Sequence, residues 1–284
     1  MSFAAAGRQL LYPFTPYCGA PPAPGELLQR WNLDPALLTI LALCLLAYAA
    51  CSEPRLGGRA EGWRRACFYA GWAIGTVAVI SPLCPLSVSL FSARVGQHML
   101  LTTVVAPLVV LGQPAARLAD GVARLRGRAL ESHAKVRPPQ PLLAAAGFAV
   151  ALWAWHAPGP YTATFHGDVI YWLMHISLFG TALWLWSALL ADPGERLGSF
   201  VAGAALTTIQ MGLLGAILTF AGRPLYPPHQ FTTLAWGLTP LADQQLGGVV
   251  MWVPAGLILV AALVVAFIQA MQRAERRTLR HSPA

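Results

Sequence analysis

Along this chain, long apolar runs alternate with short segments that collect the charges, prolines and glycines. Seven stretches are apolar and close to the ~20 residues an α-helix needs to cross hydrocarbon. They are 35–51, 65–83, 95–112, 141–157, 169–190, 199–221 and 246–270. The pattern predicts an all-α membrane protein with seven transmembrane helices. It divides the chain into a Pro-rich N-terminal arm at 1–34, a transmembrane domain at 35–270 and a basic tail at 271–284. Within the domain, a basic loop at 113–140 and a second long loop at 222–245 separate the runs.

Local signals refine these elements. Asp34 stands before Pro35, a helix cap followed by a proline in the first turn. Pro107 and Pro254 should kink their helices, because a proline leaves the carbonyl four residues earlier without its amide. For Pro107 that carbonyl belongs to Thr103, where nearby threonine hydroxyls can help. In the basic loop, Leu118, Val122, Leu125 and Ala129 recur at helical spacing with arginines between them. That fits a short interfacial helix on anionic lipid, or an ordinary basic loop. The loop at 222–245 carries Arg223, Tyr226, His229 and Trp236 and is long enough for a lid or docking surface.

Composition sharpens the class. Of 284 residues, 56% are hydrophobic and 11% charged, against about 25% charged in soluble domains. The net charge of +8 does not point to nucleic acid, because the arginines sit in short loops and no basic, aromatic-interleaved tail exists. They act as topology signals. Fifteen of the 19 Lys and Arg residues fall in one set of alternate segments and four (Arg8, Arg30, Arg94, Arg223) in the other. Excess Lys/Arg stays in the cytoplasm, which puts the N-terminus outside and the C-terminus inside. Residues 1–34 hold no basic start followed by an apolar core, so the first spanning helix is expected to serve as insertion signal.

The candidate chemistry lies in one layer. An intramembrane ionisable group marks a functional site by default, and His98 begins the third run. With Arg94 taken as the water boundary, His98 lies roughly 6 Å deeper; His175, seven residues past Asp168, lies roughly 10 Å in. His156 ends the fourth run, and His166 and His229 fall on the same outer side, whereas His133 and His281 fall inside. Three helices thus deliver imidazoles to one depth, where copper, zinc or iron would accept them. A single interfacial histidine more often bonds a backbone carbonyl or water. Trp153, Trp155, Tyr161, Tyr171 and Trp172 share the layer and read as an aromatic belt.

At the start of the last run, Asp243, Gly247 and Met251 are spaced by four and stack on one helical face. A carboxylate with a thioether two turns deeper suits a soft metal. Alternatively Asp243 is a cap, Gly247 and Gly248 allow close packing, and Met251 faces lipid. Cys18 and Cys84, both predicted outside, form a disulfide, a thiol pair for Cu(I), or no pair at all. No C-x-x-C, G-x-S-x-G, H-E-x-x-H or P-loop motif occurs, so no enzyme class is indicated.

The motifs G-Q-H-M-L-L with A-P-L-V-V-L-G-Q-P at 96–114, W-x-W-H-x-P with Y at 153–161, the His175 helix and D-Q-Q-x-x-G-x-x-M-W-x-P at 243–254 resemble the CtaG family of cytochrome c oxidase assembly factors. This is the seven-helix bacterial type, distinct from the single-span copper chaperone that shares the name. The resemblance covers roughly 35–270. It implies a multi-pass protein of the bacterial inner (plasma) membrane that is not an enzyme and assists maturation of the oxidase's catalytic subunit at its copper B centre. Copper would be held transiently, with that subunit and periplasmic copper chaperones as partners. The family's marked positions fall on His98, His156, His175, Asp243, Gln244, Gly248, Met251, Trp252 and Pro254. The family pattern has a paired histidine at the third helix, where Gln97 here precedes His98. The metal set expected is therefore His98 and His175 as core, with His156, Asp243 and Met251 for capture or release. Two other classes compete. A permease for copper or another small solute needs polar partners at every depth, and beyond Gln210 and Met211 the inner half offers no acidic or histidine relay. A haem-binding redox protein would use His98 and His175 as axial ligands.

Overall fold

The computed structural model describes residues 13–52, 59–126, 139–191 and 197–281. Every regular element among them is helical, and a helix occupies each of the seven apolar stretches. In order they are α1 (Pro35–Cys51), α2 (Arg59–Ile80) with its continuation α3 (Leu83–Ser89), and α4 (Phe91–Met99), joined by a π-helical turn (Leu100–Val105) to α5 (Ala106–Leu111). There follow α6 (Pro114–Leu125), α7 (Pro141–His156), the short α8 (Pro158–Ala163), α9 (Asp168–Leu189), α10 (Leu197–Thr219) and α11 (Pro240–His281). Three described helices are long and apolar enough to cross a membrane: Phe91–Leu125, Asp168–Leu189 and Gly198–Thr219. A fourth joins them if α2 and α3, bent by 49°, form one span; α1 and α7 are apolar but shorter.

Five of these helical segments close a ring. The α11 helix packs on α10 and α4, α10 on α7, α7 on α9, and α9 returns to α5 and the π turn. The interior is a single apolar cluster that includes Phe148, Leu152, Met174, Leu178, Met211 and Met251. Met251 is completely buried there and does not face lipid. Outside the ring, α2 packs on α5 and the π turn, and α1 leans on α6. Tyr48, Phe68, Val105 and Val109 make a second cluster between them.

Small residues allow the tightest approaches. A Cβ added at Gly248 would stand 2.6 Å from the Thr219 amide nitrogen and 2.7 Å from the Gly215 carbonyl oxygen. One at Gly247 would stand 2.5 Å from the Phe91 ring. Without a hydrophobic drive between helices, such backbone contact and its dispersion energy hold the bundle together.

The proline of α5 has a visible effect. The expected kink at Pro107 takes the form of the π turn, in which the carbonyl lacking an amide is five residues back, at Thr102. The Trp186 indole donates to that carbonyl at 2.7 Å, and the Thr102 and Thr103 hydroxyls donate to the carbonyls of His98 (2.8 Å) and Met99 (2.6 Å). Around Pro254 the α11 helix continues, but that side chain lies outside those described.

The connecting segments sort to two ends. At one end Thr15 bonds Phe165, Asn32 bonds Ile80, and Ser89 bonds both Pro22 and Thr232. Asp34 caps α1, accepting from the Ala36 amide at 2.9 Å. At the other end α6 forms as the spacing predicts, with Leu118, Val122 and Leu125 exposed along one stripe. Arg117 pairs with Glu61, and Arg124 donates to the Cys51 carbonyl at 2.9 Å. Ala129 and His133 lie outside the described residues.

Gly248→Val is expected to cost about 2 kcal/mol by overpacking, seen as a lower thermal unfolding midpoint in detergent. Gly180→Ala, where nothing stands within 4 Å of the added carbon, should leave the midpoint unchanged or raise it slightly.

Candidate functional site

The ring brings two of the predicted histidines together, edge to face. His98 lies in the last turn of α4 and His175 in the second turn of α9, with ring centroids 5.1 Å apart and planes at 76°. They are only 4% and 6% exposed. His175 Nδ1 bonds the Tyr171 carbonyl one turn back at 3.1 Å. As a donor there, the neutral ring carries its lone pair on Nε2. The Nε2 atoms of both rings are buried and have no hydrogen-bond partner. Buried polar atoms are ordinarily satisfied, so two unpartnered ring nitrogens on adjacent imidazoles fit a ligand-binding role for the pair. Two imidazole nitrogens suit copper, zinc or iron, and fewer than four protein ligands leave an ion open to exchange.

Of the remaining candidates, His156 lies within electrostatic reach of His98, whereas Met251 is packed in the core and Asp243 is held by the start of α4. His156 closes α7 with Nδ1 on the Leu152 carbonyl at 2.7 Å, and its own carbonyl receives the Tyr226 hydroxyl at 2.9 Å. Asp243, fully buried, accepts from the Phe91 amide (2.6 Å), the Ser92 amide (3.1 Å) and the Ser92 hydroxyl. It therefore caps α4 from α11 and fixes the height at which His98 sits. The next two residues of the D-Q-Q motif bind the segment that precedes α11. Gln244 accepts from the Leu225 amide at 2.6 Å, and Gln245 donates to the Ala221 carbonyl at 3.2 Å. Gln97, which precedes His98, donates to the Ala78 carbonyl at 2.7 Å. Among the described residues no three of His, Cys, Asp and Glu gather closely enough to hold one ion.

Arg94 departs most from expectation. It does not mark a water boundary: it is 2% exposed and lies inside the ring. Its Nη2 donates to the Thr164 hydroxyl at 2.6 Å and faces Met174 Sδ at 3.7 Å. The guanidinium carbon stands 4.4 Å from the centroid of Phe165, 5.0 Å from Tyr161 and 5.8 Å from Tyr171. Tyr161 and Tyr171 are accordingly buried walls of an aromatic box, not parts of a surface belt. Tyr171 also stacks on His175 with centroids 4.2 Å apart, so the box and the histidine pair share a wall.

A lid covers this layer. The segment 222–239 packs inward through two 3-10 turns, burying Tyr226, His229 and Thr233. His229 Nε2 and the Tyr161 hydroxyl lie 2.6 Å apart. Burial first, and then the Arg94 charge, push the His229 pKa down to about 3. The N-terminal arm adds a second cover. Cys18 and Cys84 form a disulfide, which settles the alternatives left by the sequence, and Tyr17 stacks on Tyr171 at 4.8 Å. His166 stays exposed, against Phe14 at 5.1 Å.

Sequence reasoning missed Arg94, Tyr161 and Tyr171 as site residues. One signal was available: Arg94 is the only Asp, Glu, Lys or Arg between Arg65 and Arg117.

Two outcomes follow. Asp243→Ala strands two buried amides at the start of α4 and should cost about 1–3 kcal/mol of stability in detergent, with Asp243→Asn losing less. For His229, the unfolded chain takes up a proton near pH 6.5, whereas the folded chain resists it down to about 3. Its contribution is therefore complete above pH 6.5 and declines as the pH falls toward 3, by up to ~1.4 kcal/mol per pH unit. The stability difference between wild type and His229→Gln, measured from pH 7 to pH 4.5, should change by that slope.

No curated protein and no solved structure matches this chain. The sequence profile of the cytochrome c oxidase caa3 assembly factors matches residues 42–273, spanning α1 to the distal part of α11 and including His98, His156, His175, Asp243 and Met251. The chain belongs to the cytochrome c oxidase caa3 assembly factor (Caa3_CtaG) family.

Proposed function

We propose that this assembly factor holds copper transiently between His98 and His175 and passes it to the oxidase's copper-containing catalytic subunit. The observation that carries the reading is the adjacent pair of buried imidazoles, each with an Nε2 that nothing in the protein engages. An ion in transit needs a site that binds without enclosing it. Two neutral nitrogens meet that need, where a closed four-ligand cage would not. Asp243, His156 and Met251 serve in this reading as supports: the first caps the His98 helix, the second anchors the lid through its carbonyl, and the third fills the ring interior beside α4.

In the same reading the seven helical stretches are seven spans, with the arm and lid in the periplasm and α6 on the cytoplasmic surface. The sorting of loops to two ends supports this, since the lysine and arginine excess lies on the α6 end. Copper then enters and leaves from the periplasmic side, beneath the lid and the arm. The exposed stripe of Leu118, Val122 and Leu125 rests in the inner lipid interface. The chain acts as a carrier and performs no bond chemistry of its own.

Cu(I) stoichiometry on the purified chain in detergent tests this. Wild type is expected to retain about one copper per chain, and His98→Ala/His175→Ala to retain none while still folding. Equal copper in both proteins, or none in either, would leave the pair without a metal role and make this a chaperone that acts by holding the subunit.

A further inference from the structure

The aromatic box around Arg94 has a consequence for which ion the pair accepts. Arg94 stands one turn before His98 on α4, a spacing that puts both side chains on one helical face. Its charge is desolvated, its Nε has no partner, and among the described residues no Asp or Glu forms an ion pair with it. Its hydrogen-bonding partners, Thr164 and Met174, are neutral, as are the three rings about it. The buried carboxylate of Asp243 is occupied by the amides of Phe91 and Ser92 and the Ser92 hydroxyl. Tyr171 touches both the guanidinium and His175, so the fixed positive charge belongs to the same packed group as the two imidazoles.

We infer that Arg94 makes the His98–His175 site selective for the monovalent ion Cu(I) and against divalent ions such as Zn(II). This rests on reading the pair as the copper site. Both ligands are neutral, so nothing in the site offsets the charge of an incoming ion. Repulsion from a fixed cation scales with that charge and is poorly screened away from water, so a divalent ion meets twice the penalty of a monovalent one. Ligand number acts in the same direction. Two nitrogens on opposite sides satisfy Cu(I), whereas Zn(II) takes four ligands and often a carboxylate. A buried arginine that in most proteins would be paired with an acid has no such partner among the described residues, and the site discriminates by charge without a selective ligand.

The test uses the full chain in detergent micelles. Cu(I) affinity is read by competition with bicinchoninate and Zn(II) affinity by competition with a chromogenic zinc chelator. Wild type is expected to prefer Cu(I) by far more than tenfold, with both ions lost in His98→Ala/His175→Ala. Arg94→Gln should gain roughly tenfold in Zn(II) affinity and about threefold in Cu(I) affinity, since the repulsion it removes scales with ion charge, while Arg94→Lys keeps the wild-type ratio. Thr164→Asp, which sets a carboxylate against the guanidinium, should act like Arg94→Gln and covers the case in which that variant does not fold. Zn(II) bound by wild type as tightly as Cu(I), or an unchanged ratio in folded Arg94→Gln or Thr164→Asp, overturns the selectivity while leaving the copper site standing. Absence of Cu(I) binding in wild type overturns the copper site itself, and the selectivity with it.

Discussion

Within hydrocarbon every polar group must find its partner inside the protein, because no water is there to supply one. Much of this molecule is arranged by that constraint. Asp243 shows it most directly. Its carboxylate receives two backbone amides and a hydroxyl from the start of α4, which ties the first turn of α11 to the first turn of α4. The same bonds set α4 at one height and one rotation. Gln244 and Gln245 then secure the lid, so three consecutive residues of one helix position the helix bearing His98 and the cover above it.

Against this background the unsatisfied atoms stand out. The carbonyl freed by Pro107 is recovered by an indole from another helix, and threonine hydroxyls fold back on the turn before. Of the eleven buried side-chain atoms without partners among the described residues, Nε2 of His98, Nε2 of His175 and Nε of Arg94 share one packed region. Buried orphans of that kind are costly, and their cost is reasonable where a site must be ready for something that comes and goes. The aromatic box softens the burden for the guanidinium by offering ring faces in place of an acid.

The covers over this region are of two kinds. The lid at 222–239 is built from the part of the chain that the family profile spans, whereas Cys18 and the arm precede the first matched residue, 42. The disulfide nonetheless joins that arm to α3, beside the Tyr171 hydroxyl, which lies 3.4 Å from Cys18 Sγ and 3.8 Å from Cys84 Sγ. Any passage to the histidine pair from this end has to displace one cover or the other.

The sequence by itself determined the helical class, the seven helical stretches, the cap at Asp34, the amphipathic α6 and the family, because each is written in local periodicity, spacing or motif. It also placed His98 and His175 at similar depth, since depth along a helix follows from residue count. It could not decide which side chains meet. Rotation of one helix against another is fixed by close contacts such as Gly248 on Gly215 and Gly247 on Phe91, and these depend on residues more than a hundred positions apart or on separate helices. For that reason Arg94 read as a loop charge and Tyr171 as a belt residue, although the bundle buries both. Asp243 and Met251 likewise shared a helical face in the sequence, yet the carboxylate turned to the amides of α4 and the thioether to the core. Only the packed ring set two imidazoles edge to face beside a cation that no acid among the described residues pairs with.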